Sequence, residues 1–83
     1  MKRVAVISAI LENPIATQAK FNDIVSEYKG LIKGRMGLPL SEEGITVICI
    51  TVIGKVDEIN SLTGKLGRLD SVQVKTSISK QEF

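Results

Sequence analysis

Two stretches of the chain are apolar at almost every position and rich in β-branched residues: residues 3–11 (RVAVISAIL) and 45–53 (ITVICITVI). β-branched side chains pack well on a pleated surface, so each stretch predicts a β-strand. Because alternate side chains of a strand point to opposite faces, both strands are apolar on both faces. Strands of this kind lie in the middle of a sheet, and we expect each of their faces to be covered.

Two other stretches, residues 31–40 and 72–78, have one apolar face and one polar face. In the first, the apolar face carries Ile32, Met36, Leu38 and Leu40, and the other face carries Lys33, Arg35 and Gly37. In the second, the alternating apolar residues are Val72, Val74 and Ile78. This pattern is typical of strands at the edge of a sheet, where charge also discourages unwanted pairing. We expect residues 79–83 to form a loose tail.

In two other stretches the apolar residues recur with the 3.6-residue period of an α-helix. Residues 15–29 carry one apolar stripe, and a second stripe follows the two-sided strand at 45–53; the two sets are Phe21, Ile24, Val25 and Tyr28, then Ile59, Leu62, Leu66 and Leu69. Asn13 and Pro14 suit the N-cap and first position of the first helix, and Asp57 suits the N-cap of the second. Gly30 suits the left-handed residue that closes a helix.

The predicted order of elements is β-α-β-β-α-β, with the two-sided strands in first and third place. This order matches an α+β, ferredoxin-like sandwich: a four-stranded antiparallel sheet with the first and third strands in the centre and two helices on one face. A chain of 83 residues has room for one such domain, spanning residues 1–83.

This fold leaves the second face of the two central strands uncovered. An exposed apolar patch usually marks an interface, and an aliphatic sheet face packs well against a copy of itself. We therefore expect a homo-oligomer, either a dimer or a tetramer. The expected interface is Val4, Val6, Ile10, Ile48, Ile50 and Val52, or the opposite set, because the pattern does not say which face meets the helices.

The composition argues against several kinds of function. A formal net charge of +2 gives no electrostatic footprint for nucleic acid, and the central strands lack the aromatic residues on which RNA-recognition domains stack bases. The chain has no histidine and one cysteine, Cys49, so it lacks a set of metal ligands and the commonest general base. We expect no cofactor, no metal site, no direct contact with nucleic acid and no catalysis.

Hydropathy and the number of cysteines indicate the cellular location of the protein. The longest apolar stretches hold about ten residues, far fewer than the roughly 20 that span a bilayer, and the start of the chain lacks a signal-peptide pattern. A single cysteine cannot form an intramolecular disulfide. We expect a cytoplasmic protein with no membrane partner.

Two polar features could meet a ligand. Arg35 stands between Gly34 and Gly37, where a ligand could approach closely and the guanidinium could hold a carboxylate or a phosphate. The same residue also fits a plain edge-strand charge, which is the favoured interpretation. The loop at Glu12 and Asn13 could present amides to an anion or only cap the helix that follows.

Four segments together resemble a known family: GRMGLP at 34–39, GITVI at 44–48, LTGKLGRL at 62–69 and SVQVK at 71–75. Over nearly its whole length the chain resembles the iron-only hydrogenase system regulators. The resemblance implies an ACT-like fold, similar to the C-terminal domain of the nickel-responsive repressor. That domain binds nickel through histidines and a cysteine, and a chain without histidine cannot form the same site.

The resemblance also implies a function and a ligand site. ACT-like domains often bind amino acids at subunit interfaces near the loop after the first strand, which would implicate Glu12, Asn13 and Arg35. The leading hypothesis is a non-catalytic, oligomeric ACT-like regulatory module of an iron-only hydrogenase system that senses a small ligand or docks on a partner. The alternative is a ligand-free protein–protein adaptor in hydrogenase assembly, and a more remote one is an enzyme with an intersubunit site.

Overall fold

The four strands form one antiparallel sheet in the order β2-β3-β1-β4. A computed structural model describes residues 1–83 and gives the elements β1 (Arg3–Leu11), α1 (Pro14–Glu27), a short 3₁₀ helix (Lys29–Leu31), β2 (Ile32–Leu40), β3 (Ile45–Gly54), α2 (Val56–Gly67) and β4 (Val72–Ile78). The prediction of a ferredoxin-like α+β fold with the first and third strands in the centre is confirmed. Neither helix is long and apolar enough to cross a membrane.

The core lies between the two helices and one face of the central strands. Directly paired residues share a face of an antiparallel sheet, and the buried pairs are Ala5 with Val52, Ile7 with Ile50 and Ala9 with Ile48. The helices complete this core with Phe21, Val25, Ile59, Leu62 and Leu66. Each fully buried aliphatic side chain contributes about 1.5–3 kcal/mol as an upper estimate, so this face is the main source of stability.

The prediction that Ile48, Ile50 and Val52 lie on the uncovered face is wrong. The register pairs the odd residues of β1 with the even residues of β3, so the even residues of the two strands lie on opposite faces. The even residues of β1 do lie on the uncovered face, as expected. Their neighbours there are the odd residues of β3, because Val4 pairs with Ile53 and Ile10 pairs with Val47.

We call the sheet surface away from the helices the open face. The register assigns to it Val4, Val6, Ser8 and Ile10 of β1, Ile45, Val47, Cys49, Thr51 and Ile53 of β3, Gly34, Met36, Leu38 and Leu40 of β2, and Gln73, Lys75 and Ser77 of β4. Three of its four strands are therefore largely apolar, and the edge strand β4 is polar.

An irregularity in β2 changes which face its first residue meets. Ile32 pairs with Val52 but Gly34 pairs with the next residue of β3, Thr51, so one strand has an extra residue at this point. An extra residue reverses the alternation of side chains. The prediction that Ile32 shares a face with Met36, Leu38 and Leu40 is therefore wrong, because Ile32 packs against the core.

The helix ends differ from the predicted ends by a few residues. The first helix stops at Glu27, and Gly30 lies in the 3₁₀ helix without a positive φ. The second helix begins at Val56, so its N-cap is Lys55 and not Asp57. The backbone N–H of Lys55 donates to the carboxylate of Glu58 at 2.9 Å, which explains this start.

The end of the chain is hydrogen-bonded and is not the loose tail that was expected for residues 79–83. The backbone groups of Lys2 and Phe83 exchange two hydrogen bonds of 3.0 and 2.8 Å. The N–H of Ser79 donates to the carbonyl oxygen of Val4 at 2.8 Å. This segment therefore continues the pairing beside β1 beyond the end of β4.

Candidate functional site

A cleft of about 310 Å³ opens at the end of the sheet where β1 passes into α1. One wall comes from the start of α1 and the other from the β2–β3 hairpin; the lining residues are Asn13, Pro14 and Ile15, then Pro39, Leu40, Ser41, Gly44, Ile45 and Thr46. The cleft exists because Leu11 pairs with Thr46, which brings the hairpin beside the first turn of the helix. Its volume is at the lower end of that of small-molecule sites, about 300–1,000 Å³.

The first turn of α1, which lines this cleft, has polar groups without partners in the protein. The carbonyl oxygen of Asn13 accepts the N–H groups of Ala16 and Thr17, each at 3.1 Å, while the Asn13 side chain makes no capping hydrogen bond. Pro14 has no N–H, and the N–H of Ile15 has no backbone acceptor. Unpaired donors and the partial positive charge of a helix N-terminus both favour a carbonyl or carboxylate group at this position.

Thr46 contributes the most deeply placed hydroxyl group of the cleft. Its residue is only 6% exposed, and none of the side-chain hydrogen bonds in the chain involves its Oγ1. The structure leaves no fully enclosed side-chain polar atom without a partner. The Thr46 hydroxyl must therefore reach solvent through the cleft, where a water or a ligand can complete its hydrogen bonding.

The cleft contains hydrogen-bonding groups but no ionisable side chain. The polar side chains are Asn13, Ser41 and Thr46, and the remaining walls are mainly aliphatic and proline. Ile15 is fully exposed at its mouth. Such a lining can bind and orient a small molecule, but it offers no general acid, general base or set of metal ligands.

The family model TM1266-like, described as "Iron-only hydrogenase system regulator, putative", matches residues 3–76. The chain belongs to this family. A similar solved structure is that of the uncharacterized protein TM1266 from Thermotoga maritima, with a TM-score of 0.91 and 29% identity over 96% of this chain and 100% of that one. The resemblance found in the sequence is thus confirmed, and the match contains both walls of the cleft. The family description names a regulator and no enzymatic activity.

Two other solved structures share the fold alone, because their sequence identities are low. The designed protein Foldit4 has a TM-score of 0.69 and 11% identity, over 99% of this chain and 100% of that one. A formyltetrahydrofolate deformylase from Pseudomonas syringae has a TM-score of 0.67 and 13% identity, over 99% of this chain and 29% of that one. No curated protein matches the chain.

In this TM1266-like chain, the three predicted ligand residues do not meet in one cavity. Asn13 lines the cleft, whereas Glu12 and Arg35 do not. The Glu12 carboxylate accepts a hydrogen bond of 2.7 Å from the side-chain amide of Gln73 on β4. Arg35 lies opposite Ile50 on the helix side of β2. A role for Glu12 and Arg35 in ligand binding stays a prediction.

The sequence reasoning missed the hairpin wall of the cleft, above all Ser41 and Thr46. Both belong to a segment far from Asn13 in the chain, and their approach depends on the pairing of β1 with β3. The sequence does contain one signal for Thr46. It is the one polar residue among the alternating residues of β3 that are buried, which are Thr46, Ile48, Ile50 and Val52. A hydroxyl within an apolar strand face needs a hydrogen-bond partner, so it points to a polar neighbour or a ligand.

A second cluster of polar residues joins the two helices of the TM1266-like chain. The Tyr28 hydroxyl lies 2.7 Å from Ser61 Oγ, and Lys65 Nζ lies 3.1 Å from a carboxylate oxygen of Glu27. The hydrogen bond with Ser61, followed by that with Lys65, lowers the pKa of Tyr28. The contact with Tyr28, followed by that with Glu27, raises the pKa of Lys65. A shallow hollow of about 190 Å³ adjoins this cluster, which we regard as a structural contact between α1 and α2.

Proposed function

We propose that the chain is a non-catalytic regulatory module of an iron-only hydrogenase system and that it senses a small ligand in the cleft between α1 and the β2–β3 hairpin. The family description supports the regulatory role. The observation that carries the ligand part is the Thr46 hydroxyl, which is almost buried and has no partner in the protein. Because this hydroxyl opens to solvent through the cleft, it needs a hydrogen-bond partner there, and a bound group that supplies one replaces the water that otherwise does.

The lining of the cleft narrows the chemical class of the ligand. Its walls at Pro14, Ile15 and Pro39 suit an apolar body, and the unpaired donors at the start of α1 suit a carboxylate or carbonyl group. Hydroxyl and amide oxygens of Ser41, Thr46 and Asn13 can accept a hydrogen bond from an amino group. A small aliphatic amino acid or a related carboxylic acid satisfies all three conditions, and a multiply charged ligand does not.

The alternative function is a ligand-free adaptor that docks on another protein of hydrogenase assembly. The observation that favours it is the side chain of Ile15, which is fully exposed beside the cleft. An isolated exposed isoleucine is ordinary on a protein surface, whereas the Thr46 hydroxyl needs a hydrogen-bond partner inside the cleft. We therefore place the ligand-sensing function first.

A thermal-shift experiment with aliphatic amino acids and the corresponding 2-oxo acids tests the proposal. A ligand of the native state at about 100 times its Kd should stabilise the protein by about 2.7 kcal/mol. Thr46→Val removes the hydroxyl with little change in shape, so it should abolish the shift. Thr51→Val makes the same change on the other face of β3 and should keep the shift.

Two results would overturn the ligand-sensing function. One is that no compound of this class raises the midpoint of unfolding of the wild-type chain. The other is that Thr46→Val and the wild-type chain respond equally to a compound that does. Either result leaves the adaptor as the better function, which an Ile15→Ser variant would then test by its loss of binding to a hydrogenase-assembly protein.

A further inference from the structure

The open face carries four of the exposed large apolar side chains of the chain: Val6, Ile10, Met36 and Leu38. We propose that a second copy of the chain covers this face, with the two β3 strands at the centre of the contact. This surface lies on the other side of the sheet from the helices and shares with the cleft only Leu40 and Ile45, at the end of the sheet, so a contact centred on β3 can be tested separately from ligand binding. The proposal assigns a binding partner to the open face, which the proposed regulatory function does not.

The distribution of charge on the open face favours an apolar partner. Among the positions that the register assigns to it, Lys75 is the only one with a charged side chain. That lysine belongs to β4, the edge strand, and the three strands β2, β3 and β1 form a continuous apolar surface beside it. A partner centred on β3 covers the apolar strands and leaves Lys75 at the rim, in contact with water.

The dimensions of the three apolar strands approach those of a stable dimer interface. Strands β2, β3 and β1, spaced by about 4.8 Å and each about nine residues long at about 3.3 Å per residue, give a flat area of roughly 430 Å² per copy. Two copies then bury roughly 860 Å² of flat area, against about 1,200 Å² at the lower end of the range for stable interfaces. The side chains that project from the face increase the buried area beyond this flat estimate.

The chemistry of the face favours a copy of the same chain over other occupants. Interfaces between identical subunits are more apolar than transient interfaces, in which polar and charged groups set specificity. Single-stranded nucleic acid needs aromatic platforms and a row of cations, and the open face has no aromatic residue and one lysine. An anionic lipid surface also needs several cations.

A symmetric contact centred on β3 places one residue of each copy in a defined position. Cys49 lies near the middle of β3, between Ser8 of β1 and Met36 of β2 on the open face. In a two-fold dimer, residues near the axis meet their own counterparts. The Cys49 thiols of the two copies therefore lie near each other, and each is shielded from solvent by the opposite sheet.

Sedimentation equilibrium tests the dimer directly. We expect the wild-type chain at micromolar concentration to have twice or a larger multiple of its chain mass of 9.0 kDa. Val6→Asp and Leu38→Asp place a charge on the open face at positions that are exposed in the single chain, so each should reduce the mass to that of one chain without loss of the fold. Val56→Asp changes an exposed apolar residue of α2, on the helix side of the sheet, and should keep the wild-type mass.

The reactivity of Cys49 gives a second measurement. A soluble maleimide should alkylate the wild-type dimer at least about tenfold more slowly than the Val6→Asp variant, because the contact excludes solvent. A wild-type mass of 9.0 kDa would overturn the proposal. So would unchanged masses of both open-face variants, or equal rates of alkylation in the dimer and in the variant.

Discussion

The guanidinium group of Arg35 donates a 2.6 Å hydrogen bond to the side-chain oxygen of Asn22, and this bond connects the edge strand β2 with α1. The same guanidinium lies 5.8 Å from the centre of the Phe21 ring. Arg35 is thus engaged with the helix that covers the sheet. We regard it as a residue that holds β2 against α1.

The first prediction concerns this contact. Arg35→Ala should lower the free energy of unfolding by about 1–2 kcal/mol, because it removes one hydrogen bond to a charged group and an exposed cation–π contact. Asn22→Ala should cost less, because the cation–π contact remains. Urea unfolding of both variants and of the double variant gives the coupling energy, which we expect to be about 0.5–1 kcal/mol. Additive effects of the two substitutions would show that the hydrogen bond contributes no stability.

The second prediction concerns the titration of Tyr28, which is the only tyrosine in a chain without tryptophan. Its ultraviolet absorbance therefore reports one phenol. We expect an apparent pKa below the ordinary value of about 10, because the hydrogen bond with Ser61 and the ammonium group of Lys65 favour the phenolate. Ser61→Ala and Lys65→Gln should each raise the pKa of Tyr28, whereas Ser77→Ala and Lys75→Gln on the open face should leave it unchanged.

Absorbance is the appropriate measurement because Tyr28 and Lys65 have opposite effects on how the free energy of unfolding changes with pH. A lowered pKa of Tyr28 makes stability rise as the pH increases through the folded-state pKa, since the unfolded chain then binds more protons. A raised pKa of Lys65 makes stability fall as the pH increases through its folded-state pKa. A Tyr28 pKa at or above the ordinary value in the wild-type chain would contradict the assigned hydrogen bonds.

The third prediction distinguishes the two faces of the sheet. Ile50→Ala should destabilise the protein by about 2–5 kcal/mol, because Ile50 is fully buried beneath the helices and the substitution leaves a cavity. Val6→Ala removes an aliphatic group from the open face and should cost the fold of a single chain less than about 1 kcal/mol. Denaturant unfolding must be compared at one protein concentration, since association contributes to the apparent stability. Equal costs for the two variants would contradict the assigned register.

The fourth prediction concerns the hairpin that forms one wall of the cleft. Gly44 has a φ of +75°, a conformation that residues with a Cβ rarely adopt, so Gly44→Ala should cost about 1 kcal/mol or more. Gly30 has no positive φ and open space around its Cα. Gly30→Ala is therefore the matched control, and we expect it to be neutral or to stabilise by up to about 1 kcal/mol. Thermal unfolding of the two variants measures the difference.

The element order and the positions of the central strands could be predicted because they depend on periods within short segments. A period of two marked the strands, and a period of 3.6 marked the helices. The identity of the buried face could not be predicted, because β1 and β3 are apolar on both faces. The choice depends on pairs such as Ala5 with Val52, which form between distant parts of the chain.

The candidate site was predicted only in part, for the same reason. The place of Asn13 in the site could be predicted, because a strand, a loop and the start of a helix follow one another in this part of the sequence. Ser41 and Thr46 join it through the register of the sheet, and Arg35 is directed to Asn22 by its place on the helix side of β2. No pattern in the sequence indicates the irregularity after Ile32, although it decides which face of the sheet the Ile32 side chain meets.

The paired backbones of Lys2 and Phe83 have a practical consequence for engineering the molecule. The two ends of the chain are adjacent, and they lie at the start of β1, whereas the cleft lies where β1 ends. Nine residues of extended strand separate the two places by about 30 Å. A short linker from Phe83 to Lys2 would therefore suit a circular permutation, and a fluorescent reporter placed beside either residue would leave the cleft unobstructed.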